Sequence, residues 1–265
     1  MGEPIRPPGA ALFHLIEKQK AYYRARATEY DEWFGRQGRY DRGPEENAEW
    51  NREVAALRRA VWSSGLSGSV LEMACGTGLW TELLTQLADE VTAVDSSEEM
   101  IGLNAGRLGL APLFEVDEQR RHPDDEPMQA GACQVNYLIA DLFNWLPGRS
   151  FDSVFFGFWL SHVPPKLRDG FWSMVEAAIV PGGTLCFVDS LPDPSSTATD
   201  HRLGPVADVT QERKLNDGRR FTIVKIFDSP DDLAATLRAR GWQATAGTTG
   251  RFFYYVVAQR RPMGA

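Results

Sequence analysis

Cysteine and lysine are scarce in this chain of 265 residues. The three cysteines, Cys75, Cys133 and Cys186, are widely spaced, odd in number and without a CxxC pair. That usage argues against a disulfide framework or a structural zinc site and favours a reducing compartment. The longest apolar run of note, 154–160, is far short of the ~20 residues that a membrane helix needs. The opening MGEPIRPPGA has no apolar signal core, so a cytoplasmic location is expected. Positive charge is also in short supply, with 28 Lys+Arg against 36 Asp+Glu and a formal net charge of −8. Nucleic-acid backbones are bound by Lys and Arg displacing counterions, so general binding of that kind is disfavoured. What remains, 43% hydrophobic and 24% charged residues, is the balance of an ordinary globular protein.

Residues 11–34 read as one helix, because Tyr23, Ala27, Tyr30 and Phe34 recur at i, i+4, i+7 and i+11. A glycine-containing linker leads to a second helix over about 45–63, with Trp50, Val54, Leu57 and Val61 on one face. From 69 onward, strands at 69–74, 90–94, 135–139, 151–157 and 183–189 alternate with helices at 79–88, 98–105 and about 165–179. Buried strands joined by helices predict a parallel, doubly wound α/β sheet. The last two runs, 242–248 and 252–258, are too close for a crossover and predict an antiparallel hairpin. Two segments interrupt this order. One is a polar, charged insertion at 113–134; the other is a Pro/Ser/Asp/Thr loop at 191–208, followed by a hairpin-like stretch around Asn216-Asp217-Gly218.

The strongest chemical signal is Glu72-Met73-Ala74-Cys75-Gly76-Thr77-Gly78, where a strand runs into a glycine turn and then a helix. Glycines let the backbone turn sharply and approach a ligand. Seventeen residues after Gly78, the second strand ends in Asp95, where a carboxylate can accept both hydroxyls of a ribose. A bare GxG can equally be a tight turn that packs helix on strand. A nicotinamide fingerprint would need a third glycine where Thr81 stands, and the acidic Glu72 suits a cationic or zwitterionic ligand better than a pyrophosphate.

Together, Glu72-x-Ala74-Cys75-Gly76-x-Gly78, Asp95, Asp141-Leu142 and the closing hairpin resemble the class I S-adenosylmethionine-dependent methyltransferases over about 69–258. Three stretches add a closer similarity, to the phosphonate O-methyltransferases of dehydrophos biosynthesis. They are Tyr22-Tyr23-Arg24-Ala25-Arg26-Ala27-x-Glu29-Tyr30-Asp31, Phe155-Phe156-x-x-Trp159-Leu160-x-His162-Val163-Pro164, and Asp217-Gly218-Arg219-x-Phe221-x-Ile223-Val224-Lys225-x-Phe227. The insertion at 113–134 is the departure. The resemblance implies a Rossmann-like seven-stranded sheet with an antiparallel C-terminal hairpin, an N-terminal helical lid (1–68), a cofactor domain (69–265) and a β-hairpin cap (191–227). It implies S-adenosyl-L-methionine as cofactor, S-adenosyl-L-homocysteine as product, and a small anionic acceptor with no metal, nucleic acid or membrane. Glu72, Ala74, Gly76 and Gly78 would contact the methionine amino group and pack beside the ribose, whose hydroxyls Asp95 would hold. Ser96 and Met100 would flank the adenine, Asp141 and Leu142 would meet its amino edge, and Phe158 and Trp159 would line the sulfonium end. Tyr22, Tyr23 and Tyr30 are either core aromatics or lid residues whose hydroxyls reach the methionine carboxylate or the acceptor; the lid is favoured, with Tyr22 on the cofactor and Tyr30 on the acceptor.

His162 is either an orienting histidine or a hydrogen-bond donor or base beside the acceptor. An ionised acid needs no base, so His162 is expected to orient it. Lys225 alternates with Phe221, Ile223 and Phe227, which directs it inward. Arg213 joins it only if the hairpin closes on a three-residue loop with Gly218 left-handed; a two-residue turn would put the pair on opposite faces. The former is expected, making Arg213 and Lys225 an anion clamp rather than a solvated edge. The function expected is O-methylation of a small phosphonate or carboxylate, with N-methylation or non-catalytic cofactor binding as alternatives. DNA methylation is disfavoured, since Ser161-His162-Val163-Pro164 replaces an Asn/Asp-Pro-Pro-aromatic motif.

Overall fold

The computed structural model describes residues 9–110, 133–201 and 203–261. Most of the 113–134 segment therefore lies outside the described residues, and its last residue, Gln134, opens a strand.

Seven strands form one sheet: β1 (Ser69–Met73), β2 (Glu90–Asp95), β3 (Gln134–Ile139), β4 (Phe151–Gly157), β5 (Ile179–Ser190), and the late pair β8 (Trp242–Thr248) and β9 (Phe253–Arg260), in the order β3-β2-β1-β4-β5-β9-β8. The first five pair in parallel, whereas β9 runs antiparallel to both β5 and β8. Strands β6 (Thr210–Lys214) and β7 (Arg220–Val224) form a separate antiparallel hairpin. Central strands are apolar on both faces, as burial between two helical layers demands. Along β4, Val154 and Phe156 join one core with Phe171 and Trp172 of α6 (Arg168–Ala178) and Leu233 and Leu237 of α7 (Pro230–Ala239). Phe155 between them joins the opposite core with Trp50, Leu57 and Val61 of α3 (Pro44–Trp62) and Ile101 of α5 (Glu98–Arg107). Alternation with a period of two sends neighbours to opposite layers. The strand order reverses between β1 and β4, and a crevice opens at such a switch point beyond the carboxyl ends of the strands.

Two helices differ from expectation. The run 11–34 is α1 (Ala10–Arg26), a 3-10 turn at 27–29 and α2 (Tyr30–Phe34). The break redirects α2, so that Asp31 accepts a hydrogen bond from Thr77 Oγ1 at 2.6 Å while Trp33 Nε1 donates to the Ser196 carbonyl at 2.8 Å. The helix expected at 79–88 shrinks to α4 (Thr81–Leu84). Tighter i+3 bonds, Leu83 N–H to Trp80 O and Leu87 N–H to Leu84 O (both 2.9 Å), compete with α-helical pairing there.

The hairpin closes on three residues. Leu215 N–H donates to Arg219 O at 2.9 Å around Asn216-Asp217-Gly218, and Gly218 has φ +90°. Arg213 pairs with Phe221, and Lys225 N–H donates to Val209 O. Arg213, Phe221, Ile223 and Lys225 thereby share a face.

Candidate functional site

The turn after β1 is wound left-handed at three positions, Ala74 (φ +54°), Gly76 (φ +54°) and Gly78 (φ +87°). Ala74 is the costly one, because a Cβ disfavours that region. The two glycines serve different ends. A Cβ on Gly76 would meet nothing within 4 Å, leaving backbone bare toward the crevice, whereas one on Gly78 would lie 2.5 Å from Asn104 Oδ1. Gly78 is thus a packing residue rather than a wall residue, contrary to expectation. Asp95 fastens this turn to the end of β2 by accepting from Gly76 N–H at 3.0 Å and Ser97 N–H at 2.9 Å. Burial pushes its carboxyl above the ordinary value although those N–H groups oppose the shift.

Around this turn lies a cavity, partly open to solvent and enclosing about 650 Å³ of empty space, walled by Ala74 and Gly76 after β1, Asp95, Ser96 and Met100 after β2, Asp141 and Leu142 after β3, and Phe158 and Trp159 after β4. Phe158 is itself left-handed, with φ +56°, a strain of the kind that gathers at functional sites. Glu72 does not line this cavity. It is 1% exposed beneath the turn, where it accepts from Thr81 Oγ1 at 2.6 Å. Burial pushes its carboxyl up to about 8, opposed by the Thr81 hydrogen bond. Glu72 therefore supports the turn from below, through Thr81 and Asn104, whose Nδ2 donates to Thr81 Oγ1 at 2.7 Å.

Helix α1 covers the open side. Lys20 Nζ lies 2.6 Å from Asp141 Oδ2, and Gln19 joins the segment after β4 to strand β7, with Nε2 donating to His162 O at 3.1 Å and Oε1 accepting from Val224 N–H at 2.9 Å. Arg107 adds an ion pair to Asp31. The expectation for Tyr22 fails here. Its ring is 1% exposed and sealed against Leu215 and Ile223 of the hairpin segment, lining neither cavity. Tyr23, one residue on, faces the crevice.

A second cavity, partly open to solvent and enclosing about 620 Å³ of empty space, adjoins the first and is lined by Arg26, Tyr40, Arg213 and Lys225 among others, with no carboxylate among the described residues of its wall. Tyr23, Tyr30, Phe158 and His162 line both cavities. Tyr23 OH and His162 Nε2 are 2.7 Å apart, and His162 Nδ1 is 2.6 Å from the Val224 carbonyl. That carbonyl can only accept, so the proton sits on Nδ1 and Nε2 accepts from the tyrosine. Burial, aided by Lys225, drives His162 down to about 3, so the ring is neutral.

Lys225 Nζ donates to Asp189 Oδ1 at 3.0 Å and Ser161 Oγ at 2.9 Å. Asp189 Oδ2 also accepts from Ser161 N–H at 3.0 Å. Burial opposes the Asp189 carboxylate, yet Lys225 and its N–H donors hold the carboxyl below the ordinary range. Sequence reasoning missed Asp189, Lys20 and Arg26. The position of Asp189 near the carboxyl end of β5, on the ligand-binding edge, was the available signal.

Comparison with known proteins places the chain among methyltransferases. The methyltransferase-domain family matches residues 35–246. A structure of DhpI in complex with SAH is 36% identical, with a TM-score of 0.66 over 94% of this chain and 98% of its own. The DhpI-SAM-HEP complex is 37% identical, with a TM-score of 0.67 over 92% and 97%. A ubiquinone biosynthesis O-methyltransferase of Xanthomonas campestris pv. campestris (strain B100) is 30% identical over 175 residues, 64% of this chain; the chain spans about 60% of the length of that curated relative.

Proposed function

The chain belongs to the class I S-adenosylmethionine-dependent methyltransferases, and from that premise we propose that it O-methylates a small acid, a phosphonate or a carboxylate. The observation that carries this reading is the second cavity, which presents Arg213 and Lys225, has no carboxylate among the described residues of its wall, and meets the glycine-loop cavity at Tyr23, Tyr30, Phe158 and His162. The relative DhpI, complexed with both SAM and HEP, supports a two-ligand site of this kind.

The first cavity suits the cofactor chemically. Bare backbone at Gly76 and the half-buried Asp95 carboxylate fit a ribose, while Ser96, Met100, Asp141 and Leu142 fit an adenine. S-adenosylmethionine, when bound, supplies an electrophilic methyl: the acceptor oxygen's lone pair forms the new C–O bond while the S–C pair returns to sulfur. The chain's task is to hold both partners in line and exclude water. Helix α1, fastened by Lys20 and Gln19, acts as the lid, and of the helical segment expected at 1–68 the described residues, from 9 onward, cover the described part of the cofactor domain that starts at 69. Arg213 and Lys225 hold the acceptor anion. Tyr30 and Tyr23 stand at the junction, with Tyr23 oriented by His162.

His162 acts as a positioning residue. Its Nε2 lone pair is engaged by Tyr23, and an already ionised acid has no proton to surrender. The same engagement weighs against N-methylation, which needs a free base for the amine proton. With three free cysteines, a reducing, cytoplasmic setting fits.

Arg213→Ala tests the reading. It is expected to raise KM for a phosphonate or carboxylate roughly ten- to hundredfold, the worth of a hydrogen bond to a charged group, with the affinity for S-adenosylhomocysteine unchanged. Normal methylation of acids by this variant would refute the clamp.

A further inference from the structure

Arg36 lines neither cavity and carries two costs at once. Its backbone is left-handed, with φ +53°, a region that glycine enters freely and a residue with a Cβ does not. Its guanidinium is 4% exposed, yet it bonds no carboxylate among the described residues. Nη1 donates to the Ser195 carbonyl at 2.6 Å and the Tyr40 carbonyl at 3.4 Å, while Nε and Nη2 have no partner there. The group lies 4.0 Å from the Trp50 ring centroid and 5.6 Å from that of Phe252. Burial and the neighbouring Arg42 lower it only to about 10, so it stays charged at neutral pH. A buried charge without a counter-ion costs stability, and a methionine of similar length would serve the core as well. Stability is therefore not what Arg36 supplies.

Its bond goes to the segment after β5. Four consecutive carbonyls there, from Pro194 to Thr197, accept from side chains of residues 33–42. Arg42 Nη2 reaches Pro194 at 3.3 Å and Thr197 at 2.9 Å, Arg36 reaches Ser195, and Trp33 reaches Ser196 at 2.8 Å. Thr199 N–H in turn donates to the Arg39 carbonyl at 2.8 Å. Between β5 and β6 the segment has one short 3-10 turn, Pro194–Ser196, so these ties fix its path more than regular structure does. Ser196, Thr197 and Ala198 line the acceptor cavity. Their side chains are small, so the backbone path decides how much room an acceptor has. Trp33 lines the same cavity and packs edge-on against Trp50 at 5.4 Å and Phe158 at 4.9 Å. The ring that Arg36 covers is thus one contact from the junction of the two cavities.

We propose that Arg36 is a positioning residue for acceptor specificity: from behind the acceptor cavity it holds the 195–198 wall where a short acceptor fits and a bulky one does not. The choice of acids as acceptors rests on the reading above; the hold on the wall does not.

The test compares the unmodified full chain with Arg36→Met, which keeps packing on Trp50 and removes the donor. Amide hydrogen exchange at 195–199 is expected to rise roughly ten- to hundredfold, the worth of a hydrogen bond to a charged group, with the turn at 72–78 unchanged. In steady-state kinetics the unmodified protein is expected to favour methylphosphonate over phenylphosphonate. Arg36→Met should lower that ratio of kcat/KM roughly tenfold, mainly by raising KM for methylphosphonate, the scale of a small misplacement of a bound acceptor. Its kcat and its affinity for S-adenosylhomocysteine should stay unchanged. Arg36→Lys, which keeps a charged donor, should restore most of the preference. A role in folding alone would reduce active protein and cost both acceptors equally, an effect on kcat. Unaltered exchange at 195–199, no preference in the unmodified protein, or equal losses with both acceptors overturns the proposal. If Arg36→Met does not fold, Arg42→Gln, which removes the ties to Pro194 and Thr197, repeats both comparisons with the same expected direction. Methylation of neither phosphonate sinks the acid-acceptor reading, and the exchange result then decides by itself whether Arg36 holds the wall.

Discussion

The cavity over the glycine turn is built chiefly from strand ends, and its fixed charges are the carboxylates Asp95 and Asp141 and the Lys20 ammonium paired with Asp141. Its neighbour is built from α1, from the loop after β5 and from the β6–β7 hairpin, and its fixed charges are Arg26, Arg213 and Lys225. The first suits a ligand with hydroxyls and amino groups, the second an anion. They meet at shared aromatic and histidine walls, where a methyl group would pass from one occupant to the other. A sheet supplies a rigid edge suited to a constant ligand, while segments laid over it can vary with the acceptor.

The contrast can be broken from either side. The largest effect is expected at the buried pair behind the acceptor cavity. Asp189→Asn or Lys225→Met leaves one charge buried without its partner, a loss of about 3–5 kcal/mol of stability. The double variant should recover most of it, as read from denaturant unfolding. Next comes Asp95→Ala, which removes a carboxylate from the cofactor side alone. Affinity for S-adenosylhomocysteine should fall on the order of a hundredfold, the loss of one or two charge-assisted hydrogen bonds, while a bound anion in the other cavity still protects Arg213 from chemical modification.

Acidification should act at the junction. His162 titrates near 3 in the folded chain, against roughly 6.5 in an unfolded one. As pH falls below about 6.5 the unfolded state takes up this proton first, so the contribution is full above that value and declines toward 3. Thermal unfolding across this window should show the decline, and His162→Gln should flatten it. The smallest effect belongs to the partly exposed lid contact. Lys20→Ala, which removes the bond to Asp141, should weaken S-adenosylhomocysteine roughly two- to fivefold, because exposed ion pairs contribute ~1 kcal/mol or less.

The same contrast governs how much could be read in the sequence. Strand ends announce themselves. Apolar runs stop at Ala74, Asp95, Asp141 and Phe158, and the topology rule sends all four to one edge. The acceptor cavity depends on phase and register instead. A shift of one residue along α1 separates Tyr22, sealed under the hairpin, from Tyr23 in the crevice, and the break at 27–29 that turns Tyr30 inward is set by contacts to Thr77 and Ser196 far along the chain. Glu72 and Gly78 sit inside the glycine motif yet face downward, because Thr81 and Asn104 engage them from below. Asp189 and Arg26 gain meaning only once their neighbours are known: one cancels a lysine, the other stands among tyrosines with no ion pair among the described residues.

The central claim is that one cavity holds the cofactor and the other an anion, with Tyr23 and His162 between them. A crystal structure with S-adenosylhomocysteine and a small phosphonate tests it most directly. The account predicts the nucleoside against Asp95 and Asp141, and the phosphonate on Arg213, with an oxygen directed at the sulfur past Tyr23. A phosphonate bound elsewhere, with Arg213 turned to solvent, would contradict it.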